Sequence, residues 1–385
     1  MWRFLFCIST ISILCRDFED GKTSDRRIRK ELNGQNMSKK KTRVILGSLS
    51  DINIVSKYRS PLMGFAISWI IVYHYYLVIQ PINLSVFPVR IGYGGVDIFL
   101  LLSGLGLYYS YTMRGGGKDF YYKRLVRVLP AFWIVVLVYD IITHNIGIFT
   151  ICRMSTLGLW LPFVPYSYWY ISAILAFYLF FPLYMHFYVK YNESCLKVAV
   201  VVGIILTSLY SIMNHSDTYR NEIVFFLSRI PIFFIGVSLG RLSMENRRLS
   251  INQMILLAVG AIMAFVFLYY LFFIQDGYNR YYINNTALDN YPFIIIAPFV
   301  CMYLPWLFQL SGLFTKIMSF LGGISLELYL IHLKVIYLFK DKLRADSGFE
   351  SIYYLIIFIG VCILLAYSLN RLVSIILNRV VNKNF

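Results

Sequence analysis

Ten apolar runs recur along this chain, each about as long as the hydrocarbon core of a bilayer, and no soluble fold accommodates that many. They fall near residues 62–80, 91–113, 128–146, 167–188, 196–213, 222–241, 251–274, 291–310, 315–338 and 352–376. Backbone polar groups inside lipid must be satisfied within the segment, and runs of this length do so as helices. The expected fold is therefore all-α, a polytopic membrane protein of about ten transmembrane helices. Composition agrees: 59% of the 385 residues are hydrophobic and only 14% charged, with 31 Phe and 32 Tyr to populate the interfaces.

The formal charge of +17 raises nucleic acid as a partner, but the distribution of that charge argues against it. Lys39, Lys40, Lys41 and Arg43 precede the first run, and Arg114, Lys118, Lys123, Arg124 and Arg127 lie between the second and third. Arg241, Arg247 and Arg248 follow the sixth run, and Arg379 and Lys383 the tenth. Positive charge on alternate connections sets orientation against the cytoplasmic leaflet and predicts N-in, C-in. "KDKLR" at 340–344 is the exception, an outer connection rich in bases. Six scattered cysteines show no paired or metal-ligand spacing and read as small hydrophobes, so no metal site is expected. Residues 1–57 read as a disordered cytoplasmic extension ahead of a membrane domain over 58–385. Within the extension, Met37 is the more natural start; a degenerate signal segment is the other reading of residues 1–36.

Function in such a chain is carried by side chains that hydrocarbon would otherwise exclude. His74 lies in "ISWIIVYHYYLVI", where imidazole exchanges protons near neutrality or joins an aromatic belt. Asp97 follows three glycines in "GYGGVDIFLLLSG", and a first-turn carboxylate is stabilised by free backbone N–H groups without any further role. Gly104, seven residues on, shares its face and favours tight helix packing. Arg124 and Arg127 in "FYYKRLVRVLP" share a helical face at the bilayer surface, suited to phosphates on a ligand or on lipid head groups. Arg229 precedes Pro231 inside the sixth run and needs an acid or a freed carbonyl. Glu327 and His332 are five residues apart, so they face different neighbours and do not pair with one another.

Taken in order, "GFAISWIIVYH", "GYGGVDIFLLLSG", "FYYKRLVRVLPAFW", "YWYISAILAFYLFFPLY", "RIPIFFIGVSLG" and "LGGISLELYLIH" resemble the acyltransferase 3 family from about residue 58 onward. The resemblance implies a bacterial inner-membrane protein that acylates, usually O-acetylates, extracytoplasmic carbohydrate. It makes His74 the essential first-span histidine, Asp97 the acid of the second motif, and Arg124 with Arg127 the pair that holds acyl-CoA phosphates. Trp169 opens the fourth motif. Two positions depart: the family's arginine eleven residues before the histidine is Met63 here, with Arg59 the nearest upstream arginine, and its glutamate five after the tryptophan is Ile174.

The implied chemistry is acyl transfer from cytoplasmic acyl-CoA, a co-substrate and not a resident cofactor, to a carbohydrate hydroxyl on the far side. His74 would serve as general base or transient acyl carrier, oriented by Asp97, with Arg229 as a candidate for the oxyanion. Arg229, Trp169, Glu327 and His332 are supporting candidates. Membrane lipid and the carbohydrate acceptor are the other expected partners. A flippase of lipid-linked sugars, or an inactive subunit of an envelope polysaccharide complex, are the rival readings.

Overall fold

The computed structural model describes residues 50–79, 87–160, 168–213, 221–274, 288–343 and 348–381. The chain-start and signal-segment readings, and residues 1–49 of the expected extension, lie outside these. Helices run in the order α1 Asn53–Lys57, α2 Arg59–Ile79, α3 Phe87–Arg90, α4 Gly95–Arg114, α5 Lys118–Ile142, α6 Ile148–Met154, α7 Trp169–Tyr191 and α8 Glu193–Met213. They continue as α9 Asn221–Leu227, α10 Ile230–Met244, α11 Ile251–Tyr269, α12 Phe293–Leu310, α13 Gly312–Gly323, α14 Ser325–Phe339 and α15 Gly348–Val381. Among the described residues nine helical stretches are long and apolar enough to cross a membrane, or ten if the bent pair α13–α14 is counted. The all-α reading holds; one isolated bridge, Asp51 to Arg248, is the only β pairing in that set.

Three expectations are revised. Residues 50–57 are folded: Ile52 and Val55 are fully buried, Ile52 N–H donates to the Arg247 carbonyl (3.2 Å), and Leu249 N–H donates to that of Ser50 (2.7 Å). The folded part thus begins before residue 58. The third span starts at Lys118, ten residues before the expected 128, so Arg124 and Arg127 stand on the first turns of α5 itself and not on a connection. Helix propensity explains this, since Lys, Arg and Leu are good helix formers whatever their hydropathy.

The third revision concerns the run at 315–338. It is not one helix but two, α13 and α14, bent by 75° at Ile324. The bend comes directly after the point where α13 meets α2. A Cβ on Gly322 would overlap the Ser60 carbonyl, and one on Gly64 would overlap that of Met318. Two facing glycines therefore bring the backbones into contact, and Ser60 Oγ donates to the Ser319 carbonyl at 3.0 Å to fasten the crossing. A second reciprocal pair, Gly104 and Gly236, joins α4 to α10, as the small-residue face around Gly104 predicts.

From the bend, α14 runs alongside α2, which is the placement that matters for the site. Gly322→Val should force the crossing apart at a cost of about 1–3 kcal/mol, the range for overpacking. Thermal unfolding in detergent should show the loss, and the exposed Gly323→Ala, where a Cβ meets nothing within 4 Å, should not.

Candidate active site

The polar side chains singled out from sequence collect in two zones, one toward each end of α2. At its far end, His74 meets His332 of α14: His74 Nδ1 and His332 Nε2 are 3.0 Å apart, and the rings lie 5.0 Å centre to centre. His332 is fully buried, and its Nδ1 sits 2.9 Å from the Leu328 carbonyl one turn back. That second contact sets the direction of the first. A carbonyl only accepts, so His332 Nδ1 carries the proton, and in the neutral ring Nε2 must accept. His74 Nδ1–H is then the donor, and His74 Nε2 is the unprotonated nitrogen of that ring. His74 also keeps part of its surface open, whereas His332 has none.

Asp97 does not supply that orientation. It sits in the first turn of α4 as expected, 2% exposed, but its Oδ2 faces Arg229 Nη2 at 3.4 Å. Among the described residues it makes no hydrogen bond to His74. Arg229 is equally buried, donates Nη1 to the Phe225 carbonyl (3.0 Å) and Ser228 Oγ (3.3 Å), and lies 5.1 Å from the ring of Trp169. Trp169 and Arg229 thus belong together as sequence order gave no means of seeing, and Asp97 is the acid that a buried arginine requires. Nearby, just before α12, burial pushes the Asp289 carboxyl up to about 7. Glu327 turns to another helix, accepting from Asn370 Nδ2 of α15 at 2.8 Å, so it and His332 do face different neighbours.

Toward the other end of α2 is a cavity of about 270 Å³. Five cations line it: Arg59, Arg114, Lys123, Arg124 and Arg127. No acidic residue is among the described residues of its wall. Arg124 is held by its own helix, Nη1 donating to the Phe120 carbonyl with the guanidinium 3.5 Å from the Phe120 ring. Met63 and Ile174 are in the same wall. The inner end reaches Tyr170 and Tyr329, whose rings are 4.8 Å apart. Tyr329 in turn lies 5.7 Å from the His332 ring. An aromatic ladder therefore leads from the cationic cavity to the histidine pair. Sequence reasoning named Arg59 only in passing and missed Tyr170 and Tyr329; the one available signal was Tyr329 standing three residues before His332 on a helix.

The Asp97–Arg229 pair gives a direct test of its role. Asp97→Asn strands a buried guanidinium and should cost about 3–5 kcal/mol, read as lost thermal stability. Replacing both residues with Leu should restore most of it. Unchanged stability with lost turnover would instead return Asp97 to the chemistry.

No curated protein and no solved structure gives a match to this sequence. A family model does: the acyltransferase 3 model, described as an acyltransferase domain, matches residues 62–371, from within α2 to within α15. That range takes in the cationic cavity except Arg59, both histidines and the Asp97–Arg229 pair, and it covers most of the chain. The protein is a multi-pass membrane member of the acyltransferase 3 family.

Proposed function

We propose that this protein transfers an acyl group, acetyl in the simplest case, from acyl-CoA to a hydroxyl of a carbohydrate on the opposite side of a bacterial cytoplasmic membrane. The observation that carries the reading is the 3.0 Å contact of His74 Nδ1 with a buried His332 whose own Nδ1 faces the Leu328 carbonyl, a chain that leaves His74 Nε2 unprotonated and free to act as the base. The donor enters the cationic cavity, on the cytoplasmic side of the N-in orientation, and its pantetheine arm carries the thioester past Tyr170 and Tyr329. From Arg59 to His74 is ~22 Å along α2 at ~1.5 Å per residue, a gap suited to an extended carrier arm. The acceptor, a glycan or lipid-linked sugar, approaches His74 from the other end.

In the reaction His74 Nε2 takes the acceptor's hydroxyl proton as that oxygen attacks the thioester carbonyl carbon. The C–S bond breaks as the tetrahedral intermediate collapses, and the imidazolium returns the proton to the departing thiolate. Positive charge on His74 is met by His332 Nε2, whose own N–H points at the Leu328 carbonyl, so the dipoles of the chain align with it. His332 is a positioning residue that fixes the tautomer, the role sequence analysis assigned to Asp97. Asp97, Arg229 and Trp169 hold the outer ends of α4, α10 and α7 together around this site.

His74→Ala should lower turnover by about 10²- to 10⁴-fold, the usual range for a general base, with protein still folded in the membrane. The assay is transfer of radiolabel from acetyl-CoA to glycan. His332→Leu should lower kcat with KM for acetyl-CoA unchanged and displace the pH profile. His332→Gln should recover part of the rate, because its amide oxygen accepts the same bond from His74. Equal activity in both His332 variants and wild type would remove His332 from the site. Label that reaches glycan independently of His74 would remove His74.

A further inference from the structure

We propose that Arg59 is a donor-binding residue, pairing with Arg127 on the diphosphate of acyl-CoA while Arg114 and Arg124 take its 3′-phosphate. This rests on the acyl-CoA reading above. The cavity gathers its cations from three helices, α2, α4 and α5, and has no acid among the described residues of its wall. Like charges gathered in a half-buried cavity repel one another unless an anion occupies the space between them.

The cations fall into two tiers. Arg59 Nε donates to the Leu102 carbonyl of α4 at 3.2 Å, which fixes the guanidinium beside Gly106 and leaves both Nη groups for the cavity. Gly106 provides the room: a Cβ there would lie 3.0 Å from Arg59 Nη2. Arg114 ends α4 and Lys118 begins α5 beside it, so on α5 Arg127 lies three residues, ~4.5 Å, farther from that shared end than Arg124. Gly106 and Arg114 are eight residues apart, ~12 Å along α4 at ~1.5 Å per residue. The Arg59–Arg127 tier is therefore the deeper one, nearer Tyr170, Tyr329 and the histidines.

Coenzyme A carries two anionic groups in this order. Its diphosphate joins the pantetheine arm and lies closer to the thioester; its 3′-phosphate sits beyond, on the ribose. With the thioester directed toward His74, the diphosphate meets the inner tier first. Arginine's planar fork suits both groups.

Equilibrium binding of CoA and of 3′-dephospho-CoA to the full chain in nanodiscs separates the tiers without requiring turnover. Arg59→Gln should weaken both ligands alike, by about ten- to a hundredfold for a lost charged hydrogen bond. Arg114→Gln should weaken CoA and leave 3′-dephospho-CoA unchanged. Arg59→Lys, which keeps the charge and loses the fork, should fall between wild type and Arg59→Gln, and it serves should the Gln variant fail to fold. Wild-type affinity in both Arg59 variants would overturn this inference alone, as would a loss confined to CoA. Wild type that binds no CoA, but binds phosphatidylglycerol through Arg59, would assign the cavity to lipid and overturn the donor reading as well.

Discussion

The contact between the backbones of α2 and α13 is the constraint on which the site depends. Gly64 and Gly322 let the helices touch, and just beyond that touch α13 ends and the chain turns by 75° into α14. Without the turn α14 would not run beside α2. Because it does, Ser325, Leu326 and Tyr329 close one side of the cavity, and His332 arrives opposite His74. A packing feature at one end of α2 thus places an imidazole at the other, and the rigidity of two helices carries the placement between them.

In hydrocarbon an unpartnered charge is expensive, so the distribution of partners separates scaffold from site. Away from the cavity the buried charges are accompanied: Asp97 by Arg229, Asp140 by Arg153 at 2.6 Å, and Lys334 by the rings of Tyr139 and Tyr168, each 4.4 Å away. The Asp97–Arg229 contact is an ion pair without hydrogen-bond geometry, and both groups are 2% exposed. Such a pair contributes little net stability yet costs much to break, so it fixes which helices meet. The cavity is the opposite case: several cations line it, with no acid among the described residues of its wall.

What was legible in the sequence follows the same division. Hydropathy located nearly every span, because crossing lipid is a local property of a segment. It misplaced the start of α5, since helical backbone continues through Lys and Arg where hydropathy stops, and it hid the bend at Ile324, which has no apolar signature. Asp97, Arg229, His74 and His332 were each visible as residues out of place, but their pairing was not. His74 and His332 are 258 positions apart, and only the helix crossings bring them together. Asp97 was matched to His74 because both lie toward the same end of the bundle; the true partner, Arg229, lies at that level too, and nothing along the chain distinguishes the two.

Met63 and Ile174, the two departures from the family pattern, acquire a physical meaning from the same geometry. They come from different helices, yet both line the one cavity. With an apolar residue at both positions, neither leaves a charge there without a partner. Arg59 stands one turn before Met63 on α2, and Tyr178 one turn after Ile174 on α7; both line the cavity as well. Polar groups thus stand one turn from each departure, while Met63 and Ile174 add apolar surface to a wall that also holds Ser103, Tyr170, Ser325 and Tyr329. The two apolar residues therefore leave the cavity's cations in place and change only its uncharged lining.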